Sequence, residues 1–422
     1  MRTSRRSRLK FGVAIGAAIV PVLLLFPAVS TSGASTSGNT ASAPGITKST
    51  IKIGIFSDLT GPAASTFEDS PGAIEAVFKQ VNAAGGINGR KITWVVADSQ
   101  SSPTGAETAM KDLVETQHVF AIAENSALFF AAAPYLQANG IPATGQSLDG
   151  PEWCEQPNTN LFDVEGNCSP KEPAYTDGGF WKSIGTKKLS IVESNTPSSI
   201  SAGVDTYTAI EKDGLQSCDQ TVVPLGAVSF TTFALSFKNA GCDTAECSCV
   251  LSGSLAMTTA LRQEGLTKVK VVFAAGPSQD IFQSKQDEAA GNGAYFPGTT
   301  YSSPAQKAFI ADLKKYDSQY KGGIPDLGAS LGFPAGNLIV EGLKVAGKNP
   351  TRASFMTNLR KVTNWTDSGL SLTPINFVHF GQSPPTACAT YVQFLNGKYV
   401  AYPKSGKEFC GKLIPGSSGV QS

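Results

Sequence analysis

The segment from Ile51 to Asp98 constrains the fold more than any other part of the sequence. A short apolar stretch, IKIGIF, is followed by a Thr-Gly-Pro turn, a run with helical apolar spacing, a glycine-rich stop and a second apolar stretch, ITWVVAD. This order predicts a βαβ unit. In such a unit, the loop that leaves the first strand opens toward the ligand crevice of a parallel sheet.

The rest of the chain repeats this alternation of strand-like and helical stretches, which predicts an α/β protein with mostly parallel sheets and helices on both faces. The 422 residues exceed the ~250–300 residues that one core normally serves, so we expect two lobes. Gly/Pro-rich passages at 150–173, 289–298 and 371–381 mark the predicted crossings between them. The predicted strands are Ile51–Phe56, Ile92–Ala97, Val119–Ala123, Leu189–Glu193, Thr221–Leu225, Ser248–Ser252 and Val269–Ala274.

The beginning of the chain has the pattern of an export signal. Five basic residues precede an apolar run from Phe11 to Ala28, and small residues follow; this order predicts a signal peptide over residues 1–34. An uncleaved membrane anchor is the alternative. Residues 4–10 resemble a twin-arginine signal, and ordinary secretion stays open beside that route. No cysteine precedes Cys154, so the attachment site of a lipoprotein is absent and we expect a free, periplasmic or extracellular protein.

Residues 35–47 are rich in Ser, Thr, Gly and Ala and are predicted to form a flexible leader. Without the first 34 residues, 29 basic and 33 acidic side chains remain. That small negative balance, without a basic patch that contains interleaved aromatic residues, gives no indication of nucleic-acid binding.

Eight cysteines, all from Cys154 onward, fit an oxidising compartment. Cys154 and Cys168 flank a loop, and Cys388 and Cys410 flank a predicted hairpin around Asn396-Gly397, so these two pairs are the expected disulfides. Pairing within the remaining cluster is left open. A zinc site is the competing interpretation of that cluster, but no histidine lies near it and we expect no metal and no cofactor. The cluster comprises Cys218, Cys242, Cys247 and Cys249.

Several motifs together resemble the branched-chain amino-acid-type, leucine-binding-like substrate-binding proteins of ABC transporters. They are Thr-Gly-Pro after the first strand, N-x-x-GGINGRKI before the second, and the stretches at 125–142, 229–243 and 328–347. The resemblance covers the chain from about Ile51 to about Val400. It implies a type I periplasmic binding protein: two α/β lobes, each assembled from non-adjacent segments and joined by three hinge crossings.

On this resemblance the chain divides into consecutive segments. Residues 48–163 and 295–377 would form the first lobe, and residues 164–294 and 378–422 the second, which includes the C-terminal hairpin and tail. The crossings are then expected near 160–170, 290–298 and 376–382. A soluble monomer is expected.

The resemblance also implies where a ligand binds on the first lobe. The loops are Leu59–Ser65, Asn125–Leu128 and Ser147–Asp149, and Thr60, Ser126, Ala127, Ser147 and Asp149 are the candidate residues. Ser126 and Ala127 lie where a strand passes into a helix, a place where backbone N–H groups and a hydroxyl bind a carboxylate or carbonyl oxygen. Ser126 serving only as a helix cap is the alternative. For Asp149 the alternative is a simple Asp-Gly turn.

The second lobe departs from the family pattern at the ligand positions. Ser198 stands where an amino-acid binder has a tyrosine, Ser254 where it has an aromatic residue, and Gly276 near its carboxylate for the ligand ammonium. A buried ammonium needs a partner charge, so a free α-amino acid is a poor fit. We expect instead a carboxylate or carbonyl ligand with less dependence on an amino group. Phe129, Phe130 and Phe180 are candidate wall residues, with the hydrophobic core as the alternative location.

The resemblance implies a protein that closes two lobes over a small organic molecule, an amino acid or a related carboxylate or amide, and presents it to an ABC permease. A ligand-sensing receptor subunit of the same fold is the alternative. An enzyme is disfavoured, because His118 and His379 are the sole histidines and no nucleophile or metalloprotease motif accompanies them.

Overall fold

The computed structural model describes residues 38–147, 150–153, 159–165, 175–371, 374–379 and 388–415. The described chain from Asn39 onward belongs to one unit. Its strands, in chain order, are β1 Thr50–Ser57, β2 Lys91–Asp98, β3 Ala121–Asn125, β4 Ala143–Gly145, β5 Leu161–Asp163, β6 Lys188–Ser194, β7 Gln216–Ser217, β8 Thr221–Val223, β9 Thr244–Ser248, β10 Lys270–Phe273, β11 Tyr295–Pro297, β12 Cys388–Ala389, β13 Tyr391–Leu395, β14 Lys398–Tyr402 and β15 Phe409–Cys410.

The helices alternate with these strands over most of the chain, as the apolar periodicity predicts. They are α1 Ala64–Phe67, α2 Ser70–Ala83, α3 Pro103–Lys111, α4 Ala133–Ala138, α5 Phe180–Ser183, α6 Pro197–Lys212, α7 Thr231–Ala240, α8 Leu251–Gln263, α9 Lys285–Gly291, α10 Pro304–Tyr316, α11 Leu327–Ala346 and α12 Arg352–Leu359.

Two sheets divide the described chain into two lobes. The first sheet has the order β2-β1-β3-β4-β5 and is parallel throughout. The second has the order β14-β13-β11-β10-β9-β6-β7, with β8 also paired to β6. It is parallel except where β13 pairs with β11 and β14. The predicted architecture of two mostly parallel sheets is therefore confirmed.

Helices cover both faces of each sheet, because strands of a parallel sheet are apolar on both sides. On one face of the first sheet, α2, α10, α11 and α12 pack around Ile53, Phe78 and Leu338; on the other, α3 and α4 pack around Phe56 and Leu136. In the second lobe, α7 to α9 cover one face and α5 and α6 the other. Since α10 to α12 return to the first sheet after β11, the first lobe is discontinuous in sequence.

Three predicted boundaries differ from those in the structure. The strand expected at Ser248–Ser252 is β9 at 244–248, and Leu251 already begins α8. The strand expected at Val119–Ala123 lies two residues later, as β3. The lobe boundary expected before Tyr295 lies too early, because β11 pairs with β10 and β13 in the second sheet.

Residues 39–47, predicted as a flexible leader, are fastened to the first lobe. Ile46 is buried and forms a β-bridge with Ile51. The Thr40 N–H donates to the Asn349 side chain, and the Ser42 hydroxyl donates to a backbone carbonyl of the same loop. Composition did not predict this attachment, because polar side chains can hold a segment through hydrogen bonds to the backbone without much apolar burial. The predicted signal peptide lies outside the described residues.

The C-terminal hairpin and its disulfide agree with the sequence. Asn396 and Gly397 have φ of 51° and 74° between β13 and β14, as a type I′ turn requires. Cys388 pairs with Cys410, whereas Cys154 and Cys168 lie outside the described residues. The four-cysteine cluster is paired as Cys218–Cys242 and Cys247–Cys249. Within the described ranges, no helix is both long enough and apolar enough to cross a membrane.

Candidate functional site

A cavity of about 200 Å³ lies between the two lobes, at the carboxyl ends of the parallel strands, where ligands of open α/β sheets bind. Thr66, Phe67 and Ala127 come from the first lobe, with Leu327 at the start of α11. The second lobe contributes the rest of the lining: Ser194, Thr196, Ser198, Ser199, Ala202, Leu225, Ser248, Cys249, Val250, Ala274 and Ala275. We call this cavity the cleft.

The lobes are in contact around the cleft. Phe67 and Ala63 of the first lobe pack against Val250 of the second. The Leu251 N–H, at the start of α8, donates to the Thr66 hydroxyl at 3.4 Å. The two lobes therefore contact each other beside the cleft.

The lining of the cleft is apolar with hydroxyl groups. Phe67, Leu225, Val250 and Leu327 supply apolar surface, and the polar groups are those of serine and threonine. None of the described lining residues carries a charge. A ligand ammonium would have no carboxylate partner among them, whereas an apolar ligand body with one hydrogen-bonding end would be accommodated.

Two long helices of the second lobe begin at the cleft. α6 has 16 residues and its N-cap, Thr196, lines the cleft; α8 has 13 residues and its N-cap, Val250, also lines it. Helix N-termini carry partial positive charge and N–H groups without partners inside the helix. The Thr196 hydroxyl accepts from the Ser199 N–H, whereas α8 has no side-chain cap. This end of the cleft therefore favours an anionic or carbonyl group.

The predicted anion site of the first lobe is occupied by Asp58. The Ser126 hydroxyl donates to Asp58 Oδ1 at 2.6 Å, and the Ala127 N–H donates to Oδ2 at 2.8 Å. The Ser99 hydroxyl also donates to Oδ1. Burial raises the pKa of Asp58, while these three hydrogen bonds oppose the rise. Donors expected to receive a ligand carboxylate thus bind the protein's own carboxyl group.

Ser126 is 4% exposed and is not among the residues that line the cleft, so the structure does not place it toward a ligand there. Its hydroxyl accepts from the Leu128 N–H at 3.0 Å, which supports the alternative of a local capping role. Ala127 does line the cleft. Beneath it, Glu124 accepts from the N–H groups of Ser126 and Gln146, and burial raises the pKa of Glu124 well above its usual value.

Two further predicted residues of the first lobe are engaged inside that lobe. The Thr60 hydroxyl donates to Asp98 Oδ2 at 2.6 Å. Burial raises the pKa of Asp98, but this bond and backbone N–H donors outweigh burial and lower it overall. The Ser147 N–H donates to Asp163 Oδ1 at 3.1 Å. Neither Thr60 nor Ser147 is among the lining residues, and Asp149 lies outside the described residues.

Of the residues predicted to bind a ligand in the second lobe, one lines the cleft, one adjoins it and one is buried in a helix. Ser198 lines the cleft on the first turn of α6. Gly276 adjoins the lining residue Ala275 and has φ of 74°, a conformation that favours glycine. Ser254 is wrong as a cleft residue: it is fully buried in α8, with its hydroxyl toward the Val250 carbonyl. The error follows from the misplaced strand, because residues after β9 begin at Cys249.

Several lining residues at or just after the ends of the second sheet's strands were not predicted from the sequence. Ser194 and Ser248 end β6 and β9, and Ala274 follows β10. Ligands lie beyond the carboxyl ends of parallel strands, so correct strand ends would have predicted these residues. The candidate wall residues Phe129 and Phe180 are fully buried core residues, and Phe130 packs against the core of the first lobe.

Comparisons with known proteins identify the family and the fold of this chain. The profile of the family described as periplasmic binding protein matches residues 50–398. Leu/Ile/Val-binding protein homolog 1 of Brucella melitensis is 26% identical over 194 residues, 45% of this chain and 52% of that protein. The chain thus spans about half the length of the curated relatives it matches.

Two solved structures share the fold over most of their length. A fatty acid ABC transporter substrate-binding protein from Thermomonospora curvata has a TM-score of 0.72 at 20% identity, covering 90% of this chain and 96% of that one. An R. palustris ABC transporter solute-binding protein in complex with benzoate has a TM-score of 0.68 at 16% identity, covering 88% and 100%. With the profile spanning most of its length, the chain belongs to the periplasmic binding protein family and has the type I fold of that family.

Proposed function

We propose that this protein is an extracytoplasmic solute-binding protein that captures a small organic carboxylate between its lobes and delivers it to the permease of an ABC importer. The observation that carries the proposal is the cleft itself: apolar walls, serine and threonine hydroxyls, and the N-termini of α6 and α8, without a charged side chain among the described lining residues. This combination suits one anionic end and an apolar body.

The size of the cleft narrows the class of ligand. About 200 Å³ is below the roughly 300–1,000 Å³ typical of sites for drug-sized molecules, so a compact acid is favoured. The titles of the similar structures name fatty acid transport in one case and benzoate in the other; both are carboxylates without an ammonium. The Leu/Ile/Val-binding relatives make branched-chain acids the natural comparison.

The occupied loop of the first lobe supports the same conclusion. Because Asp58 uses the Ser126 hydroxyl and the Ala127 N–H, a ligand carboxylate is expected at the second lobe instead. A binding role as a monomer, without catalysis, cofactor or nucleic acid, completes the proposal.

A thermal-shift screen on the protein without its predicted signal peptide tests the proposal. Compact monocarboxylates such as benzoate and 4-methylpentanoate should raise Tm more than leucine or isoleucine, since a ligand stabilises the state that binds it. A panel in which only amino acids raise Tm would contradict the proposed ligand class.

A matched pair of serine variants then locates the carboxylate. Ser198→Ala removes a hydroxyl that lines the cleft and should weaken binding of the best acid by about 1 kcal/mol, roughly fivefold. Ser126→Ala removes a buried hydroxyl bonded to Asp58, so it should lower Tm and leave Kd unchanged. The reverse result would return the ligand to the first-lobe loop.

A further inference from the structure

The two helices that begin at the cleft are capped in different ways. In α6, the Ser199 N–H donates to the Thr196 hydroxyl of the same lobe at 3.4 Å. In α8, the N-cap is Val250, whose side chain has no hydrogen-bond acceptor and is among the poorest at this position. The Leu251 N–H donates instead to the Thr66 hydroxyl of the first lobe, also at 3.4 Å. The cap of α6 thus lies within its own lobe, whereas that of α8 crosses from one lobe to the other.

Thr66 is held in the first lobe by the backbone around it. The Thr66 N–H donates to the Ala63 carbonyl at 3.0 Å. The next residue is fixed as well, because the Ser57 hydroxyl donates to the Phe67 carbonyl at 2.9 Å. Helix α11 approaches this segment closely: a Cβ atom at Gly328 would lie 2.8 Å from the Thr66 carbonyl oxygen. The Thr66 hydroxyl is therefore fixed relative to the first sheet and moves with that lobe.

The contact between Thr66 and α8 is shielded from water. Thr66 and Leu251 are 6% and 2% exposed, and Val250 packs against Ala63 and Phe67 beside them. A buried N–H without an acceptor is costly, whereas water satisfies the same N–H when it is exposed. The first N–H of α8 therefore needs the Thr66 hydroxyl when the lobes are in contact and does not need it when they are apart.

We propose that Thr66 is a positioning residue for lobe closure: its hydroxyl completes the N-terminus of α8 only when the lobes are in contact, and this hydrogen bond stabilises that state. Because α8 begins at the cleft, contact between the lobes and the arrangement of the cleft wall depend on the same hydroxyl. The role of this bond in ligand capture, where it slows ligand release, rests on the proposed function. The contact itself requires no ligand.

Amide hydrogen exchange of the ligand-free protein, followed by NMR at single residues, tests the contact. Thr66→Val keeps the shape of the side chain but removes the acceptor. The Leu251 amide should then exchange roughly fivefold faster than in the wild type, the factor that one neutral hydrogen bond represents. Thr66→Ser keeps the hydroxyl, so its Leu251 amide should exchange as in the wild type. The Ser199 amide, which is capped within the second lobe, should be unchanged in both variants.

Thr196→Val is the matched control, because it removes the corresponding hydroxyl cap from α6 inside one lobe. It should speed exchange of the Ser199 amide and leave that of Leu251 unchanged. A general loss of stability would instead speed exchange at both amides in either variant. The pair of variants therefore separates a contact between the lobes from a structural effect on the second lobe.

Stopped-flow binding of 4-methylpentanoate tests the role of Thr66 in ligand capture. A hydrogen bond that forms only after the lobes meet should act on the dissociation rate constant, koff, and not on the association rate constant, kon. Thr66→Val should therefore raise koff roughly fivefold and leave kon within about twofold of the wild-type value. Thr66→Ser should restore the koff of the wild type.

The proposal is overturned if the Leu251 amide exchanges equally fast in the wild type and in Thr66→Val. It is also overturned if Thr66→Val speeds exchange of Leu251 and Ser199 together. An unchanged koff in a Thr66→Val variant that binds 4-methylpentanoate would overturn the role in ligand capture. Absence of 4-methylpentanoate binding to the wild type would count against the proposed function, and the exchange experiment would still decide whether Thr66 makes the contact.

Discussion

Asp58 changes the interpretation of the first lobe at the level of single residues. Its carboxyl group accepts from Ser126, Ser99 and the Ala127 N–H, an arrangement that resembles a bound anion at the start of a helical turn. The sequence predicted the donors, because a strand followed by Asn-Ser-Ala-Leu has a recognisable form. It did not predict the acceptor, since Asp58 lies 68 residues from Ser126 and such a pairing depends on the tertiary fold.

Removing that acceptor should convert the loop into an anion site. Asp58→Ala leaves three donors without a partner, so we expect a loss of about 1–3 kcal/mol of unfolding free energy. Sodium formate should restore part of the lost Tm, because formate can occupy the vacated position, whereas sodium chloride at equal ionic strength should restore less. Thermal unfolding of the variant and the wild type measures this. A formate effect of equal size in both proteins would contradict the proposed role of Asp58.

Strand β9 shows how a local sequence pattern can lead to a strand being predicted at the wrong residues. The Val-Leu pair at 250–251 favours a strand, yet β9 is the preceding TAECS segment, with Glu246 in its middle. β9 is a strand because it lies between β6 and β10, and tertiary pairing outweighs the weak β-propensity of Glu and Ala. Strands with strong apolar runs, such as β1 and β2, were predicted well; β4, β5 and β11, each three residues long, were not.

Glu246 makes the second sheet sensitive to pH. Its Oε2 is buried without a partner, and burial raises its pKa from 4.5 to about 8, with a smaller contribution from Glu193. Between these values the folded state keeps the proton and the unfolded state has lost it. Unfolding free energy therefore falls as pH rises from about 4.5 to about 8, and is constant above that range as far as this group is concerned.

Glu246→Gln should remove this contribution. The unfolding free energy of the variant minus that of the wild type should rise by roughly 2 kcal/mol from pH 5 to pH 8.5. This is less than the full pKa shift of Glu246 implies at about 1.4 kcal/mol per pKa unit. Urea unfolding at both pH values measures the difference. Glu107→Gln, on the exposed surface of α3, is the matched control and should show no such gain. An equal pH dependence in wild type and Glu246→Gln would contradict the account.

At the scale of the whole molecule, the alternation of strands and helices predicted a two-lobe α/β architecture, and the resemblance to the family implied the discontinuous first lobe. The order of motifs carries that information even though each motif is weak. The position proposed for the ligand's charge could not be predicted in the same way, because the proposal depends on which helix N-termini meet at the cleft. α6 and α8 both begin there. The start of α8 was not predicted, because residues 248–252 were assigned to a strand.

The central claim is that the cleft binds a compact carboxylate and does not require an ammonium group. Isothermal titration calorimetry with leucine and with 4-methylpentanoate, which has the same carbon skeleton without the amino group, tests it most directly. The account predicts saturable binding of 4-methylpentanoate, at least tenfold tighter than leucine, or about 1.4 kcal/mol. Micromolar binding of leucine with no binding of 4-methylpentanoate would contradict it.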